Sequence, residues 1–145
     1  MIAPDPALPG SIDKAVAVLL ASDNSLRFLG LQVRSAGHGE AVVELVVQPE
    51  MANGHGIVQG GLVFALADTA FICACVDGEQ PVVTASADIV FAAAGHVGDT
   101  LTARAQVRTV YGRNTICDVS VWAGDAIIAE FRGIAKRLTV NGQRP

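Results

Sequence analysis

The chain has 145 residues, about half apolar (51%) and 17% charged, which suits one compact domain with a genuine core and excludes a disordered segment. Its net charge of −4, with no dense block of Lys or Arg, argues against a nucleic-acid partner. No uncharged apolar run reaches membrane-spanning length, so no membrane partner is expected.

Residues 1–10 hold three prolines and a glycine and read as a flexible arm. The start, Met1-Ile-Ala-Pro-Asp-Pro6, lacks the basic and apolar regions of a secretion signal, which makes a cytoplasmic setting the expectation. Ser11 is placed to cap a helix running to about Ser22, with Asp13 in its first turn. Two strands should follow, Leu26–Ser35 and Ala41–Val47, forming a hairpin across the turn Ala36-Gly-His-Gly39. Asn53-Gly-His-Gly56 is a loop by composition. From Gly61 to Val76 the chain is rich in Ala, Leu and Phe and too long for a strand, so it reads as a helix. It is apolar almost all round and should be buried and wrapped by something larger.

The remainder reads as β structure: Val82–Phe91, Leu101–Val110, Thr115–Trp122 and Ala126–Leu138, with turns at Tyr111-Gly-Arg-Asn114 and Gly124-Asp125. Residues 141–145 form a tail. Strands in runs with one segregated apolar helix define an α+β domain over residues 11–140, an antiparallel sheet of about six strands curled round that helix. The cysteines Cys73, Cys75 and Cys117 are odd in number and lie in apolar segments, which reads as reduced, buried thiols. Cys73 and Cys75 point to different faces of a helix and have no second ligand pair, so no metal site is expected.

One residue stands out. From Met51 to Val76 the only formally charged side chain is Asp68. A lone carboxylate in an apolar run is costly unless it is compensated, so Asp68 is either paired by a partner distant in sequence or kept for chemistry.

The order of elements, together with Asn53, the run Gln59-Gly60-Gly61 and the segment Leu66-Ala-Asp68, resembles the hotdog-fold acyl-CoA thioesterases of the phenylacetic acid degradation type. Residues 84–107 and the run Phe131-Arg-Gly-Ile-Ala-Lys-Arg-Leu138 extend the resemblance over nearly everything except the arm and tail. The resemblance implies hydrolysis of an aryl-acetyl-CoA, phenylacetyl- or hydroxyphenylacetyl-CoA, with coenzyme A as part of the substrate and no separate cofactor. It implies a site between protomers, in a dimer at minimum and commonly a tetramer, and it gives Asn53 the task of orienting water or thioester. The family commonly has His where this chain has Gln59; a glutamine still donates and accepts hydrogen bonds but does not titrate near neutrality.

The chemistry asks for the same residues. Thioester hydrolysis needs donors aimed at the carbonyl oxygen and a carboxylate that activates water or attacks directly. Gly60, where the helix begins, offers an unpaired first-turn N–H at the positive end of the helix dipole, with Gly61 beside it. Eight helical residues between Gly60 and Asp68 amount to about 12 Å, too far for one chain to bring both groups to one carbonyl. Two chains across a two-fold axis can, and the surplus apolar surface is then covered. Thr69 and Thr84 are candidates to hydrogen-bond Asp68 or the substrate, Arg113 to bind the phosphates of coenzyme A, and Phe64, Phe71 and Phe91 to line the acyl pocket. His55 keeps open a hydratase or dehydratase of the same fold, and Gln59 a non-catalytic acyl-CoA-binding protein.

Overall fold

The computed structural model describes residues 10–139, so the expected arm, but for Gly10, and the tail lie outside the described residues. Ten elements follow in order: α1 (Lys14–Ala21), α2 (Asn24–Leu29), β1 (Leu31–Gly37), β2 (Glu40–Val46), a single 3-10 turn (Pro49–Met51), α3 (Gly60–Cys75), β3 (Val82–Phe91), β4 (Thr100–Tyr111), β5 (Asn114–Ala123) and β6 (Ala126–Arg137). The six strands form one antiparallel sheet in the order β1-β2-β4-β5-β6-β3, and α3 packs across its concave face. This is the hotdog fold.

Most expected boundaries stand within a residue or two, and β3 falls on the expected Val82–Phe91. The expectation of a strand from Leu26 is wrong. Asp23 accepts hydrogen bonds from the backbone N–H groups of Ser25 and Leu26, which starts the short helix α2, and Gly30, at φ 73°, ends it in a left-handed cap. Strand β1 begins only after that cap. At the other expected start, helix α1 begins at Lys14 with Asp13 rather than Ser11 at its N-cap. Ser11 is instead engaged in backbone pairing: its carbonyl accepts from Ala36 N–H, and Asp13 N–H donates to the Ala36 carbonyl.

The α3 helix buries Val63, Leu66, Ala67, Ala70, Phe71, Cys73, Ala74 and Cys75, while Phe64, Ala65, Asp68, Thr69 and Ile72 are only half-buried. One sheet therefore covers one face of the helix, short of the full wrapping that the apolar sequence suggests. The partners on the sheet alternate as the strand period demands: Leu101, Ala103 and Ala105 point in from β4, and Cys117, Val119 and Val121 from β5. All three cysteines are buried, and burial pushes the Cys73 thiol up to about 12.

Phe71 and Phe131 lie with ring centroids 5.5 Å apart, and Phe64 meets Phe131 edge-on at the same separation. Phe64 and Phe71, expected as pocket-lining rings, are thus engaged in helix-to-sheet packing. Gly133, next to them on β6, has no room for a side chain, since a Cβ there would stand 2.7 Å from the Phe71 ring. Gly133→Ala is expected to overpack this junction and cost about 1–3 kcal/mol of stability, readable as a lowered denaturant midpoint with an unchanged slope.

Candidate active site

The carboxylate that the sequence leaves unexplained has its partner sixteen residues away: Thr84 Oγ1 donates to Asp68 Oδ1 at 2.8 Å. Asp68 projects from the half-buried side of α3, and Thr84 comes from β3, the last strand of the sheet. The register of β3 against β6 slips between Thr84 and Ser86, leaving Ala85 as an extra residue. Such a bulge re-aims neighbouring side chains, and here it lies beside the threonine that meets the acid. Burial raises the Asp68 carboxyl above its ordinary value, and the Thr84 hydrogen bond pulls it part of the way back. Thr69 turns away, its hydroxyl donating to the Ala65 carbonyl at 2.8 Å in its own helix.

The N-terminus of α3 is built by Gln59. Its backbone is extended (φ −59°, ψ 130°), its carbonyl accepts from Leu62 and Val63 N–H, and its side-chain Oε1 accepts from Gly60 N–H at 3.2 Å. The first-turn donor that the chemistry asks for is therefore held by the neighbouring glutamine amide. Gly60 also meets the far end of β3: a Cβ on Gly60 would lie 3.2 Å from the ring of Phe91. Strand β3 thus runs back along the helix, with Thr84 against Asp68 at one end and Phe91 against Gly60 at the other.

Asn53 organises the loop before the helix. Its Oδ1 accepts from His55 N–H at 2.9 Å and from Ile57 N–H at 3.4 Å, and its own N–H donates to the Ile57 carbonyl. This is an Asx turn, and His55, exposed, enters it through its backbone. A cavity of about 120 Å3 is bordered by Asn53, Gly60, Val63 and Phe91 among others. Arg113 is exposed in the β4–β5 turn. Strand register carries that turn to Lys136 through Asn114, and Lys136 to Val83, so Arg113 and Lys136 stand at the Thr84 end of the sheet. Among the described residues no group of three or more His, Cys, Asp or Glu could hold a metal ion.

The structure therefore pairs Asp68 with Thr84 and places Asn53 and Gly60 round one cavity, while Asp68 and Gly60 of the same chain stand about two helical turns apart, roughly 12 Å. A hotdog sheet with a glycine-led central helix and a half-buried acid on that helix suits thioester chemistry, and the class itself is given by the proteins that the chain resembles. The Thioesterase superfamily model matches residues 55–129. The chain is 37% identical over 125 residues to the acyl-coenzyme A thioesterase PaaI of Escherichia coli K12, spanning 84% of this chain and 89% of that one. The structure of E. coli PaaI aligns with a TM-score of 0.81 at 33% identity, covering 89% of this chain and 97% of the other. A mutant of the phenylacetic acid degradation protein PaaI from Thermus thermophilus aligns at 0.76 and 32% identity, over 80% of this chain and 100% of that one. The chain belongs to the thioesterase superfamily, and it is a thioesterase of the PaaI type.

Two outcomes follow from the Asp68 environment. Its folded-state pKa lies above the unfolded one, so the folded chain holds this proton through the window between them. Stability falls as pH rises through that window, and the ionised group is a cost above it. Asp68→Asn is therefore expected to keep or raise the melting temperature at pH 7. Thr84→Val removes the interaction that lowers the pKa and should move the acid limb of the kcat/KM profile to higher pH. An unmoved limb would mean that another group titrates there.

Proposed function

We propose that this thioesterase hydrolyses acyl-CoA, with aryl-acetyl groups such as phenylacetyl or hydroxyphenylacetyl as its preferred acyl chains, in a site shared by two copies of the chain. The observation that carries the shared site is the position of β3. It is the edge of the sheet, ten residues long, and exposes Val90 (65%) and Phe91 (52%). The opposite edge, β1, is stopped by the backbone of Ser11 and Asp13 paired to Ala36. An edge strand that has no neighbour on its outer side among the described residues, and that exposes apolar side chains at one end, favours pairing with another strand. If two β3 strands pair antiparallel about their middle, near Ala87 and Asp88, the Thr84 end of one lies beside the Phe91 end of the other. Asp68 of one protomer then approaches Gly60 of its partner, and the separation along a single helix no longer matters.

In such a site the thioester carbonyl takes the Gly60 N–H, with the helix dipole favouring the oxyanion as it forms. Gln59 must first release that N–H; once turned, its amide NH2 is a second donor for the same oxygen. Asp68 of the other protomer takes a proton from water, whose oxygen bonds to the carbonyl carbon. The C–S bond then breaks, and the coenzyme A sulfur leaves and is protonated. In the alternative, Asp68 itself attacks, forms an anhydride as the thiolate leaves, and is regenerated by water. Asn53 borders the same cavity, and in this reading its side chain orients the thioester. Arg113 and Lys136 offer positive charge to the coenzyme phosphates. The aryl-acetyl preference draws on the phenylacetic acid degradation proteins that this chain resembles.

A complementation experiment tests both chemistry and seam. Asp68→Ala should lose about 10²- to 10⁴-fold of turnover on acyl-CoA. Gly60→Pro deletes the donor at a position where proline suits a helix and Gln59 is already extended, so it should fold and be slow. Co-expressed, the two variants should form mixed dimers with one intact site and recover activity that neither shows alone. Absence of recovery would show that each site belongs to a single chain, and an active Asp68→Ala would remove the acid from the reaction.

A further inference from the structure

Strand β3 reads Val-Val-Thr-Ala-Ser-Ala-Asp-Ile-Val-Phe, and Asp88 is its only formally charged residue. Ala87 pairs with Gly133, which faces the Phe71 ring, so the next pair along, Asp88 with Arg132, lies on the sheet face away from α3. Charges of alternating sign run across that face. Arg108 and Arg132 both reach Asp118, at 3.7 Å and 2.6 Å, and Asp88 stands beyond Arg132 at the edge. The Arg132 guanidinium is committed inward along this row, donating to both Asp118 oxygens at 2.6 and 2.8 Å. Asp88 is exposed, and among the described residues its carboxylate enters no ion pair or hydrogen bond. Glu130 and Ile134 lie diagonal to it on β6, and Ser86 and Val90 flank it on β3, so none of these supplies a cation.

The row continues across the seam of the two-copy site. Opposite residues of an antiparallel pair share a face, so a two-fold axis through paired β3 strands is centred on a residue. Centred on Asp88, it sets the two carboxylates directly opposite, with Cβ atoms about 4.5–5.5 Å apart. Centred on Ala87, it sets each Asp88 against Ser86 of the partner and the two acids diagonally, at about 7–8 Å. Either spacing lies within a Debye length, about 8 Å at physiological salt. The alternation of sign therefore breaks at the join, where like meets like. We propose that Asp88 limits the self-pairing of β3: an acid on each copy meets its own image and holds the assembly below the affinity that the backbone ladder and apolar strand ends would give. The inference rests on the shared-site reading above and adds to it the residue that sets how tightly the two copies hold. Because that site is complete only in the pair, Asp88 also sets the concentration at which the chain becomes active, while touching neither the substrate nor the reacting atoms.

The test is a charge swap, read by native mass spectrometry of co-expressed chains carrying distinguishable tags. Two unsubstituted chains bring like charges together, as do two Asp88→Lys chains, whereas one of each brings opposite charges together. Mixed dimers should make up well over the roughly half that indifferent pairing gives. Asp88→Asn removes the repulsion without adding a charge. It should bind its own copy about two- to fivefold more tightly and keep its specific activity on dilution to a correspondingly lower concentration. A mixed share of half or less, or an Asp88→Asn dimer no tighter than the unsubstituted one, would overturn the proposal. Recovery of activity in the Asp68 and Gly60 complementation would then leave the shared site standing. A single copy at every concentration would overturn both readings.

Discussion

The hydrogen bond from Thr84 to Asp68 is the interaction on which the candidate site turns. A carboxylate inside an apolar helix loses hydration that one hydroxyl returns only in part. The result is an acid whose pKa stays raised, tethered to the last strand of the sheet rather than enclosed by the core. The ladder between β3 and β6 sets the height of β3 along the helix, and the hydrogen bond forms where that strand crosses the acid. From that height follow the position of Phe91 over Gly60 and the arrangement of the cavity wall.

Helix packing and site construction are separated on α3. The residues facing the sheet are hydrocarbon or thiol, and the aromatic trio Phe64, Phe71 and Phe131 fixes the helix at the one place where β6 carries Gly133 instead of a side chain. The half-buried face carries Asp68. A close-packed face and a half-buried face bearing the candidate acid on the same helix explain why its sequence has almost no amphipathic stripe: the two are distinguished by what lies opposite them rather than by polarity.

Much of this was legible in the chain. Strand alternation in Leu101–Arg108 shows which side faces the core, and the long Ala-rich run can only be a helix. The isolated Asp68 is visible as an uncompensated charge. What the sequence conceals is long-range. Thr69 and Thr84 are equally plausible partners for Asp68 on paper, and only the crossing of β3 with the helix, with its bulge at Ala85, selects Thr84. The missed helix α2 has a local cause: Leu26, Arg27 and Phe28 mimic strand alternation, but the Asp23 cap and the left-handed Gly30 outweigh it. Phe91, at the end of a strand that also carries Val90, cannot be told from ordinary edge packing until Gly60 is seen beneath it.

The two edges of the sheet are unlike, and that difference bears on how large an assembly can grow. Residues 11–13 lie along β1 and use up its hydrogen-bonding groups near Ala36, whereas among the described residues no strand lies on the outer side of β3. A sheet with two open sides could add copies end to end without limit, as a fibre does. With one side stoppered near Ala36, strand addition of the kind proposed above would halt once the open side met its own image, so such a ribbon would close after a single joining step.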